Sequence, residues 1–350
     1  MEPDLAIASR AGLVSTRASL IRFGATTAVS LVLVVLALRQ VDFASLGRAV
    51  AGANFLYVGA AVIMYFVDVG FRSWRWRVLL CTARPIPTVR LFPILTIGYM
   101  ANSLLPARIG EISRAYLVGR RDDVSVSTVL ASVALERVID AVTVLILLLL
   151  SLPSLPASPW LESLVRMAGA TLSVALLACL LLAIANPTRF GVVRRTLGHL
   201  PNPWNVRTLA VAERFLVGLS VLRDVRKLTM TVALSIAIWL IGATTYLLVA
   251  SSFGVRLSIM GAIAAICVVN LATAVPLAPG ALGVFEVAAL TMLELLGTTH
   301  AAAATVTIVL HAVLFVPVVL VGLCFLWRLN LSLGDIWSGE GIRHHNGKPD

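Results

Sequence analysis

The 350-residue sequence has few charged residues, and they are unevenly signed. Asp, Glu, Lys and Arg together make up 13% of the chain, whereas 59% of its residues are hydrophobic and the mean hydropathy is +0.96. Soluble globular domains carry about 25% charged residues. The composition therefore excludes a soluble chain and predicts an integral membrane protein.

Patterns that hold metals or nucleotides are also missing from the sequence. It contains no Walker-type Gly-rich Lys motif and no dinucleotide fingerprint, so this chain alone is not expected to pump with ATP. His300 and His311 lack a second ligand at helical spacing. We expect no metal, no cofactor and no nucleic-acid partner. The four cysteines lie in or beside apolar sequence without ligand spacing and are interpreted as small core residues: Cys81, Cys179, Cys267 and Cys324.

Long apolar runs are abundant, and they define the predicted fold. A spanning helix needs about 20 mostly apolar residues, and three further segments are shorter or interrupted. The sequence predicts an all-α, polytopic helical membrane protein with two inverted repeats that contain broken or re-entrant helices. The expected spans are 20–38, 55–71, 126–152, 164–185, 229–250 and 301–327, and the interrupted segments are 91–105, 259–277 and 281–297.

The placement of the net charge of +11 predicts the topology. Basic residues cluster in the N-terminal segment, around 72–90, at 120–121, in 189–227 and after 328, whereas loop 153–163 has no Lys or Arg. By the positive-inside rule, both termini are cytoplasmic in the inner (plasma) membrane. The expected division is a cytoplasmic segment 1–19, a transmembrane domain 20–328 and a polar cytoplasmic tail 329–350.

The first interrupted segment combines a helix break with charge. A proline lacks the backbone N–H that would continue the helix, an arginine offers a fork that matches a phosphate, and a glycine allows close approach of backbone or ligand. This motif is either a structural ion cluster or part of a polar cavity, and the two are compatible. Its residues are Asn102, Pro106, Arg108, Gly110, Glu111 and Arg114.

A charged stripe follows on the helix that begins near Ser125. Glu136, Arg137 and Asp140 have helical spacing in otherwise apolar sequence, so they are expected to face the protein interior. One interpretation is structural, with Arg137 bridging Asp140 and Glu136 paired to an arginine elsewhere. The other is that the stripe lines the cavity of the first motif, and a proton-coupled role for Glu136 or Asp140 is a further hypothesis.

The second interrupted segment repeats the pattern. Two prolines stop one half-helix, and the chain restarts through two glycines to an isolated carboxylate, Glu286. The start of a half-helix presents free N–H groups that favour an anionic headgroup, and Glu286 is expected to pair with an arginine of the first motif. The segment contains Asn270, Pro276, Pro279, Gly280, Gly283 and Glu286.

A band of basic and aromatic residues, from Arg72 to Arg77, lies towards the end of the second expected span. We interpret it mainly as an interfacial anchor. A secondary role is to hold anionic lipid of the cytoplasmic leaflet.

Three elements of this sequence resemble the flippase-like membrane domain of lysylphosphatidylglycerol synthases, over about residues 20–328. They are the runs Asn102-x3-Pro106-x-Arg108-x-Gly110-Glu111-x2-Arg114, Glu136-Arg137-x2-Asp140 and Pro279-Gly280-x2-Gly283-x2-Glu286. In bifunctional relatives this domain is thought to move an aminoacylated phospholipid between leaflets, and a separate cytosolic domain makes that lipid. The resemblance implies lipid handling here, without support for aminoacyl transfer, and for stand-alone members the implied substrates include polyprenyl-linked and hopanoid-type lipids.

The leading hypothesis is a lipid flippase or transporter-like protein that binds an anionic or aminoacylated headgroup at mid-membrane and moves it between leaflets. In it Arg108 and Arg114 hold phosphate, and Glu111, Glu136, Asp140 and Glu286 balance that charge. One alternative is a membrane enzyme that transfers a headgroup or glycosyl unit to lipid, with Glu111, Glu136 or Asp140 as general base. Another is a scaffold that docks a lipid-modifying enzyme through loop 186–228.

Overall fold

Helices form all of the regular structure in the described part of the chain. A computed structural model describes residues 52–81, 84–105, 108–122, 124–184, 224–274 and 279–329, together with Leu331. These residues form nine α-helices and two short 3₁₀ turns, without a β-strand. The prediction of an all-α fold is confirmed. The expected segment 1–19, the span 20–38, most of loop 186–228 and nearly all of the tail 329–350 lie outside the described residues.

The nine helices differ in length by more than twofold. The 3₁₀ turns are Leu152–Ser154, after the fourth helix, and Pro279–Ala281, before the eighth. In chain order the helices are α1 (Phe55–Leu80), α2 (Thr88–Leu104), α3 (Ile109–Arg121), α4 (Val126–Ser151), α5 (Pro159–Ile184), α6 (Val225–Ser252), α7 (Ile259–Ala272), α8 (Val284–Leu295) and α9 (His300–Arg328).

Several helices begin at residues whose side chains cap the free backbone N–H groups of the first turn. In each case the side-chain oxygen accepts a hydrogen bond from a backbone N–H two or three residues later, at 3.0–3.2 Å. These local signals fix where apolar sequence begins to wind into helix. The capping residues are Asn54 for α1, Ser125 for α4, Asp224 for α6 and Ser258 for α7.

Three of the described helices are long and apolar enough to cross a membrane. They are α1, α6 and α9, with 26, 28 and 29 residues, and they contain the expected spans 55–71, 229–250 and 301–327. Helix α4 also has 26 residues but carries Glu136, Arg137 and Asp140 near its middle. The chain is therefore an integral membrane protein, and α4 is the helix whose charges the surrounding helices must enclose.

The helices pack around two hydrophobic cores. At the centre of each core lies the helix that precedes one of the two breaks. In the first core, α2 buries residues from Leu91 to Ala101 against α1, α3 and α9. In the second, α7 buries every residue from Gly261 to Val269 against α4, α6 and α8. The most extensive helix pair, α1 with α6, lies alongside both. The helix that leads into the second break, α7, is thus the most enclosed of the described helices.

The chain breaks its helices close to the positions that the sequence predicts. Helix α2 ends at Leu104, and α3 restarts after Arg108, whose φ of 52° is in the left-handed region. Helix α7 ends at Ala272, and the 3₁₀ turn places Gly280 (φ 60°) and Ala281 (φ 56°) in the same region before α8 begins after Gly283 (φ 83°). Pro106 and Pro276 lie outside the described residues.

Candidate functional site

A cavity of about 320 Å³ lies where the two helix breaks meet. Its volume is within the range of small-ligand sites, about 300–1,000 Å³. Helices α1, α4, α6 and α9 complete a wall that is rich in arginine, amide, hydroxyl and aromatic side chains. From the predicted site the wall includes Asn102, Arg108, Gly110, Glu111, Arg114, Arg137, Asn270 and Gly280, and beyond those it includes Tyr65, Asp68, Arg72, Gly98, Tyr99, Thr245, Tyr246, Thr273, Phe285, His311 and Phe315.

Four other predicted residues lie behind this wall. Glu136 and Asp140 are buried under the arginines, with 1% and 6% of their surfaces exposed, and Gly283 and Glu286 support the second break. Pro106 is outside the described residues, and Pro279 opens the 3₁₀ turn. The structure therefore gathers both motifs and the α4 stripe around one cavity, in two layers.

Close backbone packing of α2 against α3 explains why position 110, in the first interrupted segment, is a glycine. A Cβ atom on Gly110 would overlap the carbonyl oxygen of Gly98, and it would lie 2.6 Å from Oδ1 of Asn102. Only a residue without a side chain allows this approach. Gly110 thus brings the start of α3 against α2 and sets the position of Glu111 and Arg114 at the wall.

The two breaks are joined to each other directly. Nη2 of Arg108 donates a hydrogen bond of 2.9 Å to the backbone carbonyl of Thr273, just beyond the end of α7. On the other side, a Cβ atom on Gly280 would lie only 3.1 Å from the carbonyl oxygen of Ser103 in α2. The last carbonyls of a helix lack intrahelical partners, so Arg108 stabilises the broken end of α7 from the opposite motif.

A fully buried arginine, Arg75 of α1, is the centre of an ion cluster with the α4 carboxylates. Its side chain is 0% exposed, and Nη2 lies 3.0 Å from Oδ2 of Asp140 and 3.3 Å from Oε1 of Glu136. Nη1 donates to the other Asp140 oxygen and to Ser235, and Trp239 adds a long hydrogen bond of 3.3 Å to Asp140. The carboxylates are thereby held by several donors.

The interpretation of residues 72–77 as an interfacial anchor is wrong for the side chains that enter this cluster. Arg75 and Trp76 are fully buried, and Arg72 pairs with Asp68 at 2.6 Å between Nε and Oδ2. Trp74 and Arg77 are exposed, as an anchor requires. On a helix, positions 68, 72 and 75 share one face. This spacing indicates that Asp68, Arg72 and Arg75 point in the same direction, into the protein, although Arg72 and Arg75 also belong to the basic and aromatic run 72–77.

Arg114 of α3 belongs to the cavity wall, but its side chain is enclosed in the ion cluster rather than free within the cavity. Its side chain is 1% exposed, its Nη2 lies 3.2 Å from Oε2 of Glu136, and its guanidinium stacks 5.0 Å from the ring centre of Trp76. Its Nε and Nη1 atoms have no hydrogen-bond partner among the described residues. The expected pairing of Glu136 with arginines from elsewhere is confirmed, with Arg114 and Arg75 as the partners.

Arg137 faces the cavity, and its main partner differs from the expected one. Its Nη2 donates to Oε1 of Glu136 at 2.6 Å, whereas Asp140 is 3.9 Å away. A third of its side chain is exposed. The predicted Arg137–Asp140 bridge is therefore the weaker contact, because Arg75 already holds Asp140.

Two arginines converge on one carboxylate oxygen at the wall. Nη1 of Arg108 lies 3.7 Å from Oε1 of Glu111, and Nε of Arg137 lies 3.6 Å from the same atom. Both arginine side chains are 33% exposed and Glu111 is 22% exposed, whereas the other charges of the cluster are nearly enclosed. These separations exceed hydrogen-bond length, so both guanidinium groups keep donors for another acceptor.

The predicted pairing of Glu286 with an arginine of the first motif is wrong. Glu286 accepts a 2.6 Å hydrogen bond from the backbone N–H of Gly283, which caps the start of α8, and its other oxygen is bonded to Nδ1 of His311. Nε2 of His311 lies 3.1 Å from the carbonyl oxygen of Gly280, and its ring packs against Phe285 and Phe315. The carboxylate thus binds the nearest polar group of α9, and Arg108 is occupied with Thr273.

His311 was missed as a site residue because nothing in the sequence around it suggests a partner. It is a single histidine inside an apolar span, and Glu286 is 25 positions away. The useful signal was that both residues are isolated polar groups in apolar helices. Such groups at membrane depth are expected to pair with one another.

Comparisons with known proteins identify relatives of this chain. A family model described as the lysylphosphatidylglycerol synthase TM region matches residues 24–322. The glycosyltransferase AglD of Haloferax volcanii is 28% identical over 346 residues, which cover 88% of this chain and 55% of that protein, so the chain spans about half the length of this relative. No solved structure matches the chain.

Two archaeal membrane proteins match a larger share of their own length. A UPF0104 membrane protein of Methanocaldococcus jannaschii is 28% identical over 222 residues, covering 63% of this chain and 90% of the relative. A UPF0104 membrane protein of Methanothermobacter thermautotrophicus is 22% identical over 282 residues, covering 76% and 83%. Together with the family match, these relatives show that the chain belongs to the lysylphosphatidylglycerol synthase transmembrane-region family.

Proposed function

We propose that this protein binds the headgroup of an anionic or aminoacylated phospholipid, or of a related lipid, in the cavity and moves it between leaflets. The observation that carries the proposal is the convergence of Arg108 and Arg137 on a single oxygen of Glu111. Both guanidinium groups are a third exposed, and the other carboxylate that Arg137 contacts, Glu136, is shared with Arg75 and Arg114, so positive charge is in excess at the wall. A phosphate that lies between the two forks completes this arrangement.

The charge of the whole wall supports the same ligand. Four arginines and two carboxylates line the cavity, and the enclosed Glu136 and Asp140 are shared with Arg75. Counted with Arg75, Glu136 and Asp140, five arginines face four carboxylates, and the remaining carboxylate behind the wall, Glu286, is bonded to His311 and to the N–H of Gly283. A headgroup that brings one negative charge therefore neutralises the site, which is favourable where water cannot screen the charge.

In this proposal Arg137 takes the role that the sequence suggested for Arg114. Arg114 is enclosed by Glu136 and Trp76, so it positions Glu136 and the wall. Arg137 and Arg108 each keep a third of the side chain exposed, and they contact phosphate directly. Glu136 and Asp140 keep the arginines extended and oriented.

We propose that the lipid headgroup passes between the leaflets along the two helix breaks. Non-helical backbone at membrane depth is tolerated where it is buried in protein or lines a cavity, and both breaks meet at this cavity. We propose that the segments 88–121 and 259–295 are inverted repeats with re-entrant halves, as in transporters that bind substrate at the midplane. A plasma-membrane location with both termini cytoplasmic belongs to the same proposal.

The test is leaflet exchange by the purified chain in liposomes. Fluorescent phosphatidylglycerol is followed by quenching of the outer leaflet, for the natural chain and for Arg108→Ala, Arg137→Ala and the matched control Arg77→Ala. Arg77 is exposed on α1 and does not line the cavity. We expect the first two variants to lose about 10-fold or more of the exchange rate, because each removes a charge-assisted phosphate contact, and Arg77→Ala to match the natural chain.

Folding is checked by thermal unfolding in detergent, since Arg108 also supports Thr273. Arg137→Ala and Arg108→Lys retain that backbone contact or the charge, so they separate loss of binding from loss of structure. Unchanged exchange in well-folded Arg108→Ala and Arg137→Ala proteins would overturn the proposal. So would the absence of exchange and binding for every phospholipid tested.

An enzymatic function is the second candidate, because one relative is named a glycosyltransferase. Of the three carboxylates suggested as a general base, Glu136 and Asp140 are enclosed by arginines. Glu111 is partly exposed at the wall, and its arginines lie beyond hydrogen-bond reach. Glu111 would therefore be the base that activates an acceptor hydroxyl. Formation of a modified lipid by the natural chain, and its loss in Glu111→Gln, would favour this function over transport.

A further inference from the structure

Two asparagines occupy matching positions in the two helix breaks and line the same cavity. Asn102 is two residues before the end of α2, and Asn270 is two residues before the end of α7. Oδ1 of Asn102 is buried and has no hydrogen-bond partner among the described residues, whereas Asn270 is exposed and its amide faces the cavity. The two motifs therefore contribute one amide each to a shared wall, and that of Asn102 has a buried oxygen without a partner.

An unsatisfied amide at this depth indicates a ligand with matching groups. The asparagine amide has two donors and an acceptor oxygen, and a buried polar group without a partner is costly. The hydroxyl of Tyr99, between Gly98 and Met100 in α2, is a second buried group of this wall without a partner in the described part of the chain. Hydroxyl groups of a ligand both donate and accept, so they satisfy all three side chains.

The charges of the wall argue against a cationic group on the same ligand. Asp68 is paired with Arg72 at 2.6 Å, and Glu111 lies between Arg108 and Arg137. Neither carboxylate at the wall lacks an arginine. A lysyl group would bring two ammonium charges into a site with a net positive lining, where like charges repel.

We infer that the cavity selects a lipid whose phosphate carries an uncharged, hydroxylated group, such as a polyol or a sugar, and that it rejects aminoacylated headgroups. This inference rests on the proposed function and narrows it. Arg108 and Arg137 bind the phosphate, and Asn102 and Asn270 bind the hydroxyl groups beyond it. The aminoacylated substrate that the family resemblance implies is then excluded for this chain.

The experiment compares three lipids with identical acyl chains in the liposome assay: phosphatidylglycerol, lysyl-phosphatidylglycerol and phosphatidic acid. The natural chain is compared with Asn270→Leu and with the control Thr229→Val, which removes a polar group from an exposed position of α6. Asn270→Leu is preferred to a change at Asn102, because Asn102 lies close to the Gly110 backbone. A second arm adds soluble glycerol 3-phosphate and measures thermal stabilisation and competition with lipid.

We expect phosphatidylglycerol to exchange about 10-fold faster than the lysyl form, because that ratio corresponds to one or two lost favourable contacts. Asn270→Leu should lower the phosphatidylglycerol rate about 5- to 10-fold and leave phosphatidic acid unchanged, since phosphatidic acid has no hydroxyl group beyond its phosphate. A purely structural role of Asn270 would reduce both rates together. Thr229→Val should change neither.

The outcomes separate this inference from the function on which it rests. Equal or faster exchange of the lysyl form, still abolished in Arg108→Ala, would overturn the headgroup selectivity and leave lipid movement intact. Equal loss of both rates in Asn270→Leu would also overturn it. Exchange of no lipid would overturn the proposed function, and stabilisation by glycerol 3-phosphate alone would then identify a soluble phosphate compound as the ligand source.

Discussion

The guanidinium group of Arg108 donates a hydrogen bond to the backbone carbonyl of Thr273, and this bond joins the two helix breaks across 165 positions of sequence. Arg108 reaches the carbonyl from a left-handed backbone conformation, with φ of 52°. That conformation is uncommon for a residue with a long side chain. The structure therefore holds the breaks together through a strained residue that also faces the cavity.

Replacing Arg75 should destabilise the protein strongly. Arg75→Met leaves Asp140 and Glu136 buried without their main partner, which costs about 3–5 kcal/mol when a buried ion pair is broken on one side. The measurement is unfolding of the detergent-solubilised protein, with exposed Arg77→Met as the control. Adding Asp140→Asn to Arg75→Met should recover part of the loss. Equal stability of Arg75→Met and Arg77→Met would contradict the ion cluster.

A methyl group at Gly110 should separate α2 from α3. Gly110→Ala places a Cβ against the carbonyl oxygen of Gly98, and overpacking of this kind costs about 1–3 kcal/mol or more. Gly70→Ala is the matched control, because nothing lies within 4 Å of a Cβ there, and it should change stability by no more than about 1 kcal/mol. Melting temperatures in the same detergent test the pair. If both variants have the melting temperature of the natural chain, the close approach of α3 to α2 is not required for stability.

His311 and Glu286 should be energetically coupled. The two side chains are bonded to each other, and each also holds backbone of the second break, at Gly280 and Gly283. In a double-mutant cycle with His311→Asn and Glu286→Gln we expect an interaction energy of about 1 kcal/mol or more. Unfolding free energies of the four proteins give this quantity. Strictly additive effects would show that the contact contributes nothing of its own.

Removing the charge of Glu111 should strengthen binding of an anionic headgroup. Glu111 competes with phosphate for Arg108 and Arg137, so Glu111→Gln leaves both arginines without a carboxylate at the cavity surface. We expect affinity for phosphatidylglycerol to rise several-fold, by about 1 kcal/mol. Binding is measured by native mass spectrometry of detergent complexes. Weaker binding together with loss of a lipid product would instead favour the enzymatic function.

The helix breaks and the burial of the charged α4 stripe could be predicted from the sequence. Proline and glycine within apolar sequence have few explanations in a membrane, and this placed the ends of α2 and α7 within a few residues. Glu136 was expected inside and is 1% exposed. In both cases one local property of the residue, a missing N–H or a charge, determines where it lies.

The partners were predicted less well, because pairing depends on which helices are neighbours. Arg75 and Asp140 are 65 positions apart, and no local pattern shows that α1 packs beside α4. Glu286 was assigned to an arginine since that is the strongest partner by charge, but His311 is the group that packing brings to it. The topology and the inverted relation of the two halves remain predictions.

The two hydrophobic cores have a consequence for how the protein unfolds. One core centres on α2 and the other on α7, and the polar layer of Arg75, Glu136 and Asp140 lies where α1, α4 and α6 meet. Ionic contacts depend on precise geometry, whereas apolar packing tolerates small shifts. Each core should therefore persist as its own cooperative unit when the layer is weakened, and hydrogen exchange would then report two separate opening energies in place of one.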